Sequence, residues 1–396
     1  MPSSPVAPLA HLRPLPSTYA YFAAFIGLGL ISASLGPTLP GLAEQTGAEL
    51  REISRLFLAR STGYMLGSFF GGRFYDRIPG NPVMAAALLI MAAGMAVAPL
   101  LPTLWILAAV LLVIGVAEGT VDVGGNTLLV WIHRSRVGPY MNALHFMFGL
   151  GAFLSPLVIA QAVAWSGGIR LGYWLLAIYV LPVLVWLGRE ASPIPEVEQD
   201  RDEAIHVNWP LVGLIAFFMF LYVGAEVGFG GWIYTYAVSM GLVGETAAFY
   251  LTSLFWGALT LGRLASIPIA ARVRPRTILL ADILGALASV LLILALPASP
   301  WALWVGIFGA GFALASIFPT VITWAERRIT VSGLVTSTFL VGASLGAMLL
   351  PWLIGQLFEG RGPQITMIAI LIDLLATAVI YVALMIYGGQ PKRVEK

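Results

Sequence analysis

The chain has 396 residues, of which 59% are hydrophobic and only 10% are charged, and its mean hydropathy is +0.91. A soluble domain typically carries about 25% charged residues, so this composition excludes a soluble protein. The net charge of +2 is too small to indicate a nucleic-acid-binding protein, and the absence of cysteine excludes disulfides, thiolate metal sites and a cysteine nucleophile. The composition therefore predicts a polytopic membrane protein.

Twelve stretches of the chain are long and apolar enough to span a bilayer, which takes about 20 residues per helix. We number them spans 1 to 12, and they lie near 19–42, 52–75, 81–100, 103–131, 138–165, 170–188, 209–238, 246–268, 277–296, 300–325, 331–358 and 364–388. The predicted fold class is thus an all-α membrane protein with 12 transmembrane helices. The acidic, proline-containing segment 191–208 divides the spans six and six. It predicts two six-helix bundles, residues 1–190 and 209–396, joined by a cytoplasmic linker.

Lysine and arginine are distributed unevenly between the two sides of the predicted bundle. Sixteen of the 21 basic residues, Arg263 among them, fall on the side of the two termini, four fall on the opposite side, and Arg60 lies inside span 2. Because loops rich in Lys and Arg stay on the cytoplasmic side of a membrane, we expect both termini to be cytoplasmic.

The chain contains an internal duplication at about half its length. Residues Gly149–Gln161 read GLGAFLSPLVIAQ and residues Ser344–Gln356 read SLGAMLLPWLIGQ, which maps span 5 onto span 11 at an offset of 195. Parallel six-helix halves are the layout of major facilitator transporters, in which the substrate site lies between the halves near the bilayer midplane. Rocking of two such halves predicts alternating access, with the glycine-rich spans 5, 7 and 11 as the bending elements.

The turn after span 2 reads Gly72-Arg-Phe-Tyr-Asp76-Arg77-Ile-Pro-Gly80. It resembles the major facilitator loop motif G-x-x-x-D-R-x-G, with Pro79 at the usual glycine position. The resemblance implies that Gly72, Asp76 and Arg77 form a conformational latch of the outward-facing state.

Further stretches resemble the sodium-dependent glucose transporter branch of this superfamily and, more distantly, the fucose:proton symporter family. They include Asp122-Val-Gly-Gly-Asn126 in span 4, Asn142-Ala-Leu-His145 in span 5 and Tyr222-Val-Gly-Ala-Glu226 in span 7. The resemblance implies secondary active transport of a monosaccharide, glucose or a related hexose, coupled to Na⁺ or H⁺. It also implies a monomer in a bacterial inner membrane that needs no cofactor. Fucose-type symporters carry an acidic residue in the first span, and this chain has none there.

Span 4 places Glu118, Asp122 and Asn126 at intervals of four residues, hence on one helix face. Ionisable groups at membrane depth cost several kcal/mol and are functional candidates. Two carboxylates one turn apart repel each other if both are ionised. One of them therefore binds a proton more readily, which suits proton exchange during transport. Their oxygens could instead bind Na⁺ at Asp122, with Asn126 as a further ligand, or one carboxylate could pair with Arg60 and join two helices. Arg60 is also a candidate for binding an anionic substrate.

The other intramembrane polar and aromatic residues predict substrate contacts. Amide and imidazole groups both donate and accept hydrogen bonds, so Asn142 and His145 suit hydroxyl recognition, although a buried histidine also serves as a core residue. Glu226, with Tyr222 one turn earlier, is predicted to bind sugar hydroxyls or a cation, on a glycine-rich helix that is broken or able to bend. The aromatic candidates are Trp232 and Tyr236 as gate or stacking residues, and Phe255 and Trp256 as a wall for the sugar ring or as packing.

No enzyme motif is found: the sequence contains no Walker A motif, no nucleophile elbow and no histidine pair with metal-ligand spacing. We therefore predict a non-enzyme that binds a small molecule, a coupling cation and the lipid bilayer. The alternative prediction is a proton-coupled exporter of lipophilic drugs or lipids. Asp282 is predicted to be a charge at a helix N-terminus, and Asp373 a structural hydrogen-bonding residue.

Overall fold

The computed structural model of the chain describes residues 16–193, 208–329 and 333–388, and within these ranges it contains α-helices and no β-strand. The helices are α1 (Pro16–Ser32), α2 (Leu35–Thr46), α3 (Leu50–Ile53), α4 (Arg55–Tyr75), α5 (Gly80–Val97), α6 (Leu104–His133), α7 (Val137–Ser166), α8 (Arg170–Arg189), α9 (Trp209–Ser239), α10 (Glu245–Ala270), α11 (Pro275–Ala295), α12 (Pro300–Leu314), α13 (Ile317–Glu326), α14 (Gly333–Arg361) and α15 (Ile365–Tyr387). Most of the predicted linker lies outside the described residues.

The predicted membrane-spanning architecture is confirmed. Ten helical segments in the described ranges are long and apolar enough to cross a membrane, and the bent pair α1 and α2 makes eleven. The remaining predicted span is α4, which is 21 residues long but carries Arg55, Arg60 and Arg73. It packs inside the bundle against α6 and α14.

Successive spans run in opposite directions, so the helix ends form two faces. We call the face at which α1 begins and α15 ends the terminal face, and the other one the opposite face. The ends of α4, α6, α8, α10 and α13 lie at the terminal face, and the short helix α3 lies at the opposite face between spans 1 and 2.

Within the described ranges, two spans are broken. Span 1 bends by 47° between α1 and α2, and span 10 is divided into α12 and α13 around Ser316. The glycine-rich span 7 is not broken, because α9 is one continuous helix of 31 residues, and its ability to bend stays a prediction.

The glycines of α9 serve close packing between helices. Gly36 of α2 lies against the backbone of Gly230 and Gly231, and Gly224 faces Gly346 of α14. A helix surface without side chains lets a second backbone approach, and membrane helices pack through such small residues.

The interface between α4 and α6 follows the same rule, and a second glycine contact extends the one between α9 and α14. On α4 and α6, a Cβ at Gly67 would overlap the Val116 carbonyl oxygen, and a Cβ at Gly115 would overlap the Arg60 carbonyl oxygen. On α9 and α14, a Cβ at Gly346 would overlap the Phe220 carbonyl oxygen. Backbone contact between α4 and α6 brings the polar side chains of the two helices within hydrogen-bond distance of each other.

The helices of spans 1–6 contact those of spans 7–12 along three seams. Helix α7 packs on α10, α4 packs on α14, and α2 packs on α9. Gly149 of α7 lies against Thr260 of α10, and Gly257 of α10 lies against Phe153. The division into two rigid bundles at residues 191–208 stays a prediction.

Replacing Gly346 by alanine should destabilise the protein by about 1–3 kcal/mol, because the added methyl group forces α9 and α14 apart. Thermal unfolding of the purified protein in detergent measures the effect. Gly360→Ala on the same helix is the control, since a Cβ there meets no atom within 4 Å and the substitution favours helix by up to about 1 kcal/mol. Equal unfolding temperatures for the two variants would contradict the packing argument.

Candidate functional site

A cavity of about 1100 Å³ lies between the two sets of helices. Residues of spans 1, 2, 4 and 5 line one side, and residues of spans 7, 8, 10 and 11 line the other. At the terminal face its lining reaches Ala270 at the end of α10 and Arg327 just after α13. Toward the opposite face it ends at Phe57 and Gly231.

Contacts between the two halves close the opposite face. Gln356 Nε2 of α14 donates to the Arg51 carbonyl oxygen at 2.8 Å, and the Leu50 N–H donates to Glu359 Oε1 at 2.7 Å. Beneath these bonds, the Trp232 ring stacks on Phe358, with the centroids 5.2 Å apart. The cavity is thus closed at the opposite face by α3, α9 and α14.

Arg60 and Glu118 form a buried ion pair at the edge of the cavity. Arg60 Nε donates to Glu118 Oε2 at 2.8 Å and Nη2 donates to Oε1 at 2.5 Å. The other donors of Arg60 reach the carbonyl oxygens of Ile31 and Ser32, at 2.9 and 3.0 Å, where span 1 breaks. The Ser32 hydroxyl in turn donates to Glu118 Oε1 at 3.0 Å. Glu118 is only 2% exposed, and both of its carboxylate oxygens accept hydrogen bonds from Arg60.

Asp122, one turn after Glu118 on α6, has only neutral partners. Tyr64 donates its hydroxyl to Asp122 Oδ2 at 2.5 Å. Asn126 Nδ2 donates to the Asp122 carbonyl oxygen at 2.8 Å and reaches Oδ1 at 3.3 Å. No lysine or arginine of the described ranges forms an ion pair with this carboxylate, although it lines the cavity. When it is ionised, Asp122 therefore has no paired cation among the described residues.

Glu226 lines the cavity from the second half of the chain. Tyr222, one turn earlier on α9, donates its hydroxyl to Glu226 Oε2. The other carboxylate oxygen, Oε1, lies 3.9 Å from Nη2 of Arg263 on α10. That distance is too long for a hydrogen bond, so this pair is looser than the pair of Arg60 and Glu118.

His145 and Asn142 of α7 line the cavity between these two groups. The His145 ring packs edge-on against Phe25, with the centroids 6.1 Å apart. It interacts electrostatically with Asp122 of its own half and with Arg263 of the other half. The imidazole thus stands between the charged groups of the two halves.

Four predicted substrate-binding residues do not line the cavity. The Asn126 amide is turned back onto Asp122, and Trp232 donates Nε1 to the Pro351 carbonyl oxygen at 2.9 Å. Tyr236 and Phe255 are fully buried in the second half, and Phe255 stacks on Phe229. Of the predicted aromatic wall, only Trp256 contacts the cavity.

The predicted latch lies at the terminal face, away from the cavity. The Asp76 backbone N–H caps α4 by donating to the Gly72 carbonyl oxygen at 3.2 Å. The side chains of Asp76 and Arg77 are exposed, and neither forms an ion pair with another described residue. The latch role stays a prediction.

Two further carboxylates differ from their predictions. Asp282 lies two turns inside α11 and accepts a hydrogen bond from Ser316 at the break of span 10, so it is not a charge at a helix N-terminus. Asp373 is 8% exposed, and its Oδ2 has no hydrogen-bond partner among the described residues. The predicted structural hydrogen bond of its side chain is therefore not formed.

Tyr64 and Arg263 belong to the cavity although sequence reasoning did not select them as site residues. Tyr64 follows Arg60 by one turn, which puts it on the same helix face. Arg263 was assigned to the loop charges at the terminal side, but it precedes the end of α10 by seven residues. The apolar residues Leu264, Ile267 and Ile269 that follow it could have indicated that Arg263 lies inside the helix.

The sequence profile of the Major Facilitator Superfamily matches residues 19–351. The chain belongs to this superfamily. It is 30% identical to sodium-dependent glucose transporter 1A of Mus musculus over 389 residues, covering 88% of this chain and 90% of that protein. It is 32% identical to sodium-dependent glucose transporter 1 of Xenopus laevis over 362 residues, covering 84% and 74%.

Among solved structures, the chain is similar to the nucleoside transporter NupG, with a TM-score of 0.76 at 14% identity over 94% of this chain and 99% of that one. This likeness shows the fold. The predictions of a multi-pass membrane protein and of a transporter rather than an enzyme are confirmed by the family match and the relatives.

Replacing Glu118 by alanine should lower the free energy of unfolding by about 3–5 kcal/mol, because it leaves the buried Arg60 without a countercharge. Asp122→Asn is the matched comparison on the same helix face. An asparagine oxygen still accepts from Tyr64, so we expect a loss within about 1 kcal/mol. Thermal unfolding in detergent compares the two variants. A loss in Asp122→Asn as large as in Glu118→Ala would contradict the assignment of Glu118 as the structural carboxylate.

Proposed function

We propose that this transporter carries a monosaccharide by secondary active transport and that the coupling cation binds at Asp122. The observation that carries the proposal is the set of partners around the Asp122 carboxylate. Asp122 lines the cavity, accepts hydrogen bonds from neutral groups and has no ion-pair partner in the described ranges. An unpaired carboxylate at membrane depth is costly, and binding a proton or Na⁺ removes that cost.

The same reasoning separates Asp122 from Glu118. Both oxygens of Glu118 already accept hydrogen bonds from Arg60, and the Ser32 hydroxyl donates another one to Glu118 Oε1. A cation would have to displace Arg60, which also holds the two carbonyl groups at the break of span 1. We therefore assign the coupling role to Asp122 and the structural role to Glu118. Glu226 contributes to substrate binding in the other half.

A sugar fits the polar groups that face the cavity. Asn142, His145 and Glu226 offer both donors and acceptors, and the Trp256 indole supplies an apolar face. The relatives named as sodium-dependent glucose transporters support the same cargo. A lipophilic cargo gains nothing from these polar groups.

The conformation of the structure supports alternating access between the bundles 1–190 and 209–396. The cavity reaches the terminal face and is closed at the opposite face. Because the basic loops mark the terminal face as cytoplasmic, this conformation corresponds to an inward-facing state. The unpaired side chains of Asp76 and Arg77 fit a latch that engages only in the outward-facing state.

Asp122→Asn should abolish uptake driven by a cation gradient while leaving counterflow exchange of sugar in place, because the neutral amide no longer binds the cation. Proteoliposomes loaded with labelled glucose and related hexoses measure both rates, with Na⁺ and H⁺ gradients imposed separately. Asp282→Asn is the matched control: it removes a carboxylate of another membrane-spanning helix that does not line the cavity, and it should keep gradient-driven uptake. Sustained gradient coupling in Asp122→Asn would contradict the site, and failure of every sugar to exchange in the wild type would favour the exporter of lipophilic compounds.

The sidedness of the structure can be tested with single cysteines, since the chain has none of its own. Thr323→Cys introduces a thiol at an exposed position of α13 that lines the cavity near the terminal face. Thr246→Cys introduces one at an exposed position at the start of α10, at the opposite face. We expect a membrane-impermeant maleimide to label the Thr323 variant only in inside-out vesicles and the Thr246 variant only in right-side-out vesicles. The reverse pattern would place the terminal face outside the cell.

A further inference from the structure

Two arginines at membrane depth line the cavity, Arg60 and Arg263, and they differ in how many donors remain available. Arg60 uses Nε, Nη1 and Nη2 on Glu118 and on the carbonyl groups of span 1. Arg263 Nη2 lies 3.9 Å from the nearest carboxylate oxygen, the guanidinium can donate one hydrogen bond to the Tyr222 hydroxyl, and the His145 ring is a further electrostatic neighbour. The side chain of Arg263 is 29% exposed and lines the cavity, so a ligand can reach its remaining donors.

Glu226 is oriented so that it presents one oxygen beside this guanidinium. The Tyr222 hydroxyl occupies Oε2, which leaves Oε1 on the side of Arg263. Both side chains line the cavity. Glu226 Oε1 is thus an acceptor next to the planar fork of N–H donors of Arg263, and the two groups are too far apart to form a hydrogen bond with each other.

This combination matches a pair of neighbouring hydroxyl groups. Each hydroxyl of a sugar donates one hydrogen bond and accepts others. The carboxylate accepts from the hydroxyl hydrogens, and the guanidinium donates to the hydroxyl oxygens with two N–H groups in a fixed geometry. A ligand with a single hydroxyl leaves part of this set unpaired, and such unpaired polar groups are what reject a wrong ligand.

We propose that Arg263 is a substrate-binding residue that, together with Glu226, recognises two adjacent hydroxyl groups of the transported sugar. The inference rests on the proposed function, because it takes the cargo to be a sugar, and it adds a specificity-determining residue in the second half of the chain. The coupling site at Asp122 belongs to the first half. Substrate recognition and cation coupling are therefore assigned to different residues, and variants can separate them.

The experiment measures counterflow in proteoliposomes without any ion gradient, using glucose and its series of monodeoxy and mono-O-methyl derivatives. In the wild type we expect at least about a tenfold loss of affinity when either member of one adjacent hydroxyl pair is removed, which corresponds to about 1.4 kcal/mol. In Arg263→Gln the KM for glucose should rise by about tenfold or more, and the penalty for removing those hydroxyls should fall below about threefold. Arg263→Lys keeps the charge but loses the fork, and it should show the same loss of discrimination.

Arg272→Gln is the matched control, because Arg272 is exposed just beyond the end of α10 and does not line the cavity. It should leave both the KM and the deoxy-sugar penalties unchanged. Thermal unfolding in detergent verifies that each variant is folded. If Arg263→Gln does not fold, the result for Arg263→Lys decides.

The outcomes separate the two proposals. If the wild type exchanges sugars and both folded Arg263 variants retain the wild-type KM and discrimination, the assignment of Arg263 is overturned and the proposed function stands. If either variant loses gradient-driven uptake while its KM and discrimination are unchanged, Arg263 belongs to the coupling site, and the assignment is again overturned. If the wild type exchanges no sugar, the proposed function fails, and the assignment of Arg263 fails with it.

Discussion

The buried ion pair between Arg60 and Glu118 joins spans 1, 2 and 4 at the depth where span 1 changes direction. A helix break leaves carbonyl groups that need donors, and Arg60 supplies them to Ile31 and Ser32. Its own charge then requires a countercharge, which Glu118 provides with two hydrogen bonds. A buried pair of this kind is costly to break from either side. The bend of span 1, and with it the packing of α2 on α9, depends on this pair.

The pair forms only because α4 and α6 are in backbone contact. The glycines of the interface, such as Gly67 and Gly115, allow this approach, and the side chains one turn apart on each helix then meet as partners. Arg60 meets Glu118, and Tyr64 meets Asp122. In the first of these contacts two opposite charges neutralise each other, whereas the second gives Asp122, when it is ionised, no paired cation among the described residues. On this difference we base the proposal that Glu118 is structural and that Asp122 binds the coupling cation.

Much of the architecture was predictable because it depends on local properties of the sequence. Span length and apolarity predict the helices, and the repeat around Gly149 and Gly346 predicts two similar halves. The four-residue spacing in span 4 predicts that Glu118 and Asp122 share a helix face. The glycines of α9 left two structures open, because a cluster of glycines permits both a helix break and close packing. Only the neighbouring helix α14 and the segment around Gly36 show which of the two occurs.

The sequence by itself predicted the membrane class, the helical spans and the short set of polar residues at membrane depth, which follow from composition, periodicity and spacing along one helix. The family was indicated by the resemblance of motifs such as Asp122-Val-Gly-Gly-Asn126. The tertiary structure decided which of those residues are partners. Arg60 and Glu118 are 58 positions apart and Glu226 and Arg263 are 37 apart, so no local pattern connects them. It also showed that Trp232 is held by Pro351 and Phe358 at the closed end. Charge pairing and burial depend on neighbours in space, and those neighbours come from distant parts of the chain.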